Sequence, residues 1–100
     1  MTQSEPYVLR LYVTGMTPRS TRAIHCVRAV CEEHLPGRYE LEIVDVYQQP
    51  SRSRDDDIFA IPTLVKQHPS PERRIIGDMS DKERLMHGLG LHPDSNDERR

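Results

Sequence analysis

A chain of 100 residues suits one small domain with a single core, and is too short for a second domain or a large enzyme. Its 14 basic and 16 acidic residues are intermixed at a net charge of -2, so no stripe or tail of one sign points to nucleic acid or an anionic membrane. No apolar run reaches the length of a transmembrane helix, "MTQSEP" lacks the segments of a signal peptide, and two cysteines are too few for a disulfide scaffold; a cytosolic protein is expected.

"YVLRLYV", Tyr7 to Val13, is β-branched, aromatic and apolar on both sides, which predicts a buried strand closing at Thr14-Gly15. In the next stretch Thr17 can cap a helix whose first position is Pro18, where a missing N–H costs nothing, and Gly37 follows the stop. Ala23, Ile24, Val27, Val30, Cys31 and Leu35 recur at helical spacing, while Arg19, Arg22, Arg28, Glu32 and Glu33 lie largely elsewhere around the wheel. "YELEIVDVY", Tyr39 to Tyr47, reads as a second strand, completing a βαβ unit with parallel strands. "QQPSRSRDDD" is a polar loop or a short, poorly signalled helix. "TLVKQ" and "RRIIGDM" are strands joined by "HPSPE", a connection of hairpin length. Ser80-Asp81-Lys82-Glu83 carries the S-x-x-E capping-box pattern and starts a terminal helix through Leu85, Met86 and Leu89. Residues 1–6 and 92–100 are expected to be flexible ends of one domain spanning 7–91. The order β-α-β-α-β-β-α over a mixed four-stranded sheet is that of a thioredoxin-like α/β domain, in which Pro62, after Ile61, is expected to be cis at the entry to the third strand.

Redox enzymes of that fold keep an attacking thiolate at the N-terminus of the first helix and a second thiol three residues on. Here that turn is Gly15-Met16-Thr17-Pro18-Arg19-Ser20, without a thiol. Cys26 and Cys31 fall five residues apart, roughly 140° around the helix axis, which disfavours a thiol oxidoreductase. His25, His34, His68, His87 and His92 show no metal-ligand spacing, and Asp55-Asp56-Asp57 reads as a solvated turn; no metal, cofactor or catalytic residue is expected. The basic residues Arg19, Arg22, Lys66, Arg73 and Arg74 serve either solubility or a protein partner.

"YVLRLYVTGMTPRSTRA", "YELEIVDV", "AIPTLVK" and above all "RRIIGDMSDKERLMHGL" resemble the KaiB circadian-clock family, from about Tyr7 to Leu91. The resemblance implies a non-enzymatic, cytoplasmic partner of a KaiC-type hexameric ATPase that modulates its phosphorylation cycle. In cyanobacterial clocks such proteins also capture KaiA and displace the kinase SasA. Members can be metamorphic, switching the C-terminal half between a ground-state tetramer fold, β-α-β-β-α-α-β, and a thioredoxin-like monomer that binds KaiC. On this chain the resemblance makes Arg22, Arg73, Arg74 and Lys66 the partner-binding residues and places Gly77 and Asp78 in the remodelled segment. A runner-up is a thioredoxin-like module for a SasA-like histidine kinase or a stress-response partner.

The family usually continues with "IGLDLLY" where this chain has "HGLGLHP", residues 87 to 93. His87, Gly88, Gly90 and Pro93 therefore mark the segment that decides the fold. Glycine weakens a strand and proline removes a ladder donor, which acts against the ground-state fold and favours the thioredoxin-like monomer over a dimer or tetramer. "DVYQQP" without the usual lysine, and Asp57 where lysine is common, argue against binding a cyanobacterial KaiA.

Overall fold

The computed structural model describes residues 6–55, 57–58, 61–77 and 79–91. In chain order these form β1 (Tyr7–Val13), α1 (Pro18–His34), β2 (Tyr39–Asp45), α2 (Pro50–Asp55), β3 (Thr63–His68), β4 (Arg73–Ile76) and α3 (Lys82–Gly88). The sheet order is β2-β1-β3-β4, with β1 and β2 parallel and both β1–β3 and β3–β4 antiparallel. This is the thioredoxin-like order expected from the sequence. Asp78 and Pro93, both named above, lie outside the described residues, as do the two expected flexible ends beyond Pro6 and Leu91.

Alternation along β1 sorts the core onto two faces. Leu9, Leu11 and Val13 point to the side of α1 and α3, where they join Ala23, Val27, Val30, Cys31, Leu64, Ile75, Leu85 and Met86. Tyr12 points the other way and packs with Val44 and Val65 beneath α2, its hydroxyl donating to the Arg52 carbonyl at 3.5 Å. The short helix that the polar "QQPSRSRDDD" signalled poorly is α2. It is held to the sheet by Glu42, whose carboxylate accepts from Arg52 at 2.9 Å and from Arg10 at 3.1 Å. These contacts explain how a segment without an apolar stripe stays helical.

Three boundaries differ from the sequence reading, the first being β4, which stops at Ile76 and does not run on through "GDM". β2 stops at Asp45, because that carboxylate turns back to accept from the Tyr47 amide at 2.9 Å and the Gly15 amide at 3.2 Å. Helix α3 is capped by Asp81, not Ser80: its carboxylate accepts the Arg84 amide at 3.1 Å, so the helix begins one residue later than the capping-box pattern indicated. At the other end of α3, Gly88 abuts β4, and a Cβ there would overlap the Ile75 side chain.

Candidate functional site

The turn between β1 and α1 is where a redox enzyme of this shape works. Thr17 is the N-cap of α1, in extended geometry, and Pro18 opens the first turn as the sequence predicts. The Thr17 hydroxyl accepts the Ser20 amide at 3.1 Å and donates to the Ser20 hydroxyl at 2.9 Å. Ser20 is buried, and its oxygen accepts the Thr14 amide at 3.0 Å. Thr17 and Ser20 thus form a closed hydrogen-bonded pair at the i, i+3 spacing that a dithiol of this fold has. The register Tyr12↔Thr63 sets Pro62 level with Val13 at this same end of the sheet, and the Ile61–Pro62 bond is cis, as are His68–Pro69 and Ser70–Pro71. Met16 is fully open to solvent on the turn, and Tyr47 is exposed beside Gly15.

The two thiols lie elsewhere and apart. Cys31 is in the core, where burial first and Glu32 second push its pKa up to about 11. Cys26 is half-buried at a small apolar groove between α1 and the start of α3, beside a 2.7 Å ion pair between Glu33 and Lys82. Among the described residues no group of His, Cys, Asp and Glu could hold a metal ion.

The four cations named from the sequence do not form one surface. Arg22 is exposed near the N-terminal end of α1. Arg74 faces the α2 side with Val65, donating to the Asp57 carbonyl at 3.0 Å with Glu72 at 3.7 Å. Lys66 and Arg73 are brought together: they are paired residues of β3 and β4, and so share the α1/α3 face near its Tyr7 end.

Lys66 is far more buried than a surface cation, at 5% exposure, with its ammonium 5.9 Å from the centre of the Tyr7 ring. Burial, and then the Arg73 charge, hold its pKa below that of an ordinary lysine. A desolvated ring contact is worth about 2 kcal/mol, less than the several kcal/mol that burying an ammonium costs. The Tyr7 hydroxyl in turn donates to the Leu89 carbonyl at 3.0 Å, tying β1 to the end of α3. Sequence reading missed Tyr7 and Ser20 as site residues: Tyr7 looked like one more strand aromatic, although T-x-x-S at the helix start was a visible signal for Ser20.

A sequence model of the KaiB domain matches residues 10–91. The chain is 46% identical over 91 residues to the circadian clock oscillator protein KaiB of Prochlorococcus marinus (strain MIT 9312), covering 91% of this chain and 87% of that one. In shape it is similar to the N-terminal domain of Synechococcus elongatus SasA, with a TM-score of 0.72 at 18% identity over 100% of this chain and 94% of that one. It is also similar to Fasciola hepatica thioredoxin, with a TM-score of 0.69 at 19% identity over 85% and 79%. The last two likenesses show the fold alone.

Proposed function

The chain belongs to the KaiB family, and from that premise we propose that it is a non-enzymatic clock or timer protein that binds a KaiC-type hexameric ATPase and modulates its phosphorylation cycle. The observation that carries this reading is a thioredoxin-like fold whose β1–α1 turn, where redox enzymes of the fold keep a dithiol, holds the bonded hydroxyls of Thr17 and Ser20. Such a scaffold keeps the surfaces of the fold and has no thiol there for exchange. The protein acts in the cytoplasm, in keeping with two free thiols in the described chain and no helix there long and apolar enough to cross a membrane.

Arg22, Arg73 and Arg74 are the partner-binding residues of this reading, with Lys66 beside Arg73. Because they are spread over two faces, they engage the ATPase either by wrapping across the β4 edge or through a subset on one face. Pull-down of a KaiC-type hexamer with ATP, repeated with Arg22→Glu, Arg73→Glu and Arg74→Glu, tests this. Loss of capture with at least one reversal is expected; unimpaired capture by all three removes the surface.

The thioredoxin-like monomer is the dominant state in this reading. His87 and Gly90, with Pro93 of the sequence, oppose the alternative fold, while Gly77, Gly88 and, in the sequence, Asp78 belong to the segment that is remodelled. A shift of about 1–2 kcal/mol is enough to reverse two populations of comparable stability. The second reading, a module for a SasA-like histidine kinase, is favoured by one observation, the match in shape to the SasA N-terminal domain along the whole chain. Competition between the ATPase and such a kinase for one surface separates the two; KaiA is not among the partners proposed.

A further inference from the structure

Between the β3–β4 loop and the end of α3 lies a cavity of about 350 Å³, within the range of about 300–1,000 Å³ usual for small-molecule sites. Its walls include Tyr7, Lys66, Ser70, Arg73, His87 and Gly90. Two fixed cations therefore face one space, and among the described residues no aspartate or glutamate lines it. Glu72, the acid of the intervening loop "PSPE", turns its carboxylate to Arg74 on the other face of the hairpin.

Lys66 is the second, independent observation. It is 95% buried, its ammonium lies over the π-face of Tyr7, and the like charge of Arg73 acts on it. Among the described residues neither Lys66 nor Arg73 has a carboxylate within ion-pair distance. A buried ammonium held beside a guanidinium is stabilised by an anion that bridges both, and an ammonium point charge next to a planar N–H fork is the pairing that suits a tetrahedral oxyanion. The Ser70 hydroxyl adds a neutral donor.

We propose that this cleft is a binding site for a phosphate-type dianion, the phosphate group of a small phosphate monoester, held between Lys66 and Arg73 with its organic part toward His87 and Gly90. The cavity exceeds the needs of the oxyanion alone, which is why a monoester is the fitting class. Occupancy neutralises the charge pair that opposes close packing of β3, β4 and the end of α3, so the ligand stabilises the packing seen here. The proposal rests on the cleft and is independent of the ATPase reading.

The test is a titration of the full chain with inorganic phosphate, phenyl phosphate and acetate at constant ionic strength, followed by amide NMR and calorimetry. Saturable shifts at Tyr7, Ser70, Gly88 and Gly90 are expected, with phenyl phosphate tightest and acetate weakest. Lys66→Met and the surface variant Arg73→Gln should each weaken phosphate binding by about tenfold or more, since each removes a charge-assisted bond. Arg73→Gln keeps the test valid if Lys66→Met fails to fold. Absence of saturable shifts, equal response to acetate, or affinity unchanged by Arg73→Gln overturns the proposal.

Discussion

The hydroxyl of Thr17 lies 2.9 Å from that of Ser20, across the first turn of α1, and Ser20 also accepts the amide of Thr14 at the end of β1. One buried side chain therefore joins strand, turn and helix. The turn where a dithiol enzyme of this fold keeps its thiols holds a structural clasp here.

Removing that clasp should cost stability in a coupled way. Ser20→Ala leaves the Thr14 amide without its side-chain acceptor and is expected to destabilise the domain by about 1–3 kcal/mol. Thr17→Ala, the loss of an N-cap, should cost about 1 kcal/mol. Because the two hydroxyls share a bond, the double variant should lose less than the sum of the singles. Urea unfolding of the four proteins measures the coupling, and strict additivity would contradict the shared bond.

The carboxylate of Glu42 gives an acid-side signature. Its pKa is held below the ordinary glutamate value by the hydrogen bond from Arg52, against desolvation, with Arg10 assisting. A carboxylate with a depressed folded pKa stabilises the fold above its unfolded value, near 4.5, and loses that contribution as pH falls through the folded value. Stability measured across the acid range should thus fall more steeply in the parent than in Glu42→Gln, which starts lower at neutral pH. Parallel curves would show that this network carries no pH dependence.

The two cysteines should differ sharply toward alkylation. Cys31 is fully buried with a pKa near 11, so almost no reactive thiolate is present at neutral pH, whereas Cys26 is half-buried at the α1–α3 groove. Iodoacetamide on the native protein, read by peptide mass spectrometry, should label Cys26 first and Cys31 only as the domain unfolds. Equal labelling rates would mean that α1 is not packed as described.

Much of this molecule is written in short-range pattern. The apolar run of β1, the three- and four-residue spacing of α1 and the T-P start each rest on a residue and its near neighbours, and each appears where expected. What the sequence reading left open depends on partners distant in the chain. Helix α2 has no apolar stripe and is fixed by Glu42, and the cap of α3 passed to Asp81 because the local pattern fits two adjacent residues. The site shows the same division. Lys66, Arg73 and Arg74 were visible as cations, but only the β3–β4 register and the fold of Tyr7 beneath Lys66 separate buried Lys66 and its exposed neighbour Arg73 from Arg74 on the opposite face.

The proposed role is tested most directly by size-exclusion chromatography with light scattering, run on the protein alone and with a KaiC-type hexamer and ATP. The account predicts an 11.6 kDa monomer that moves into the hexamer peak when the nucleotide-loaded ATPase is present. A free tetramer would contradict the favoured thioredoxin-like monomer, and a monomer that never co-elutes with the hexamer would contradict the binding function itself.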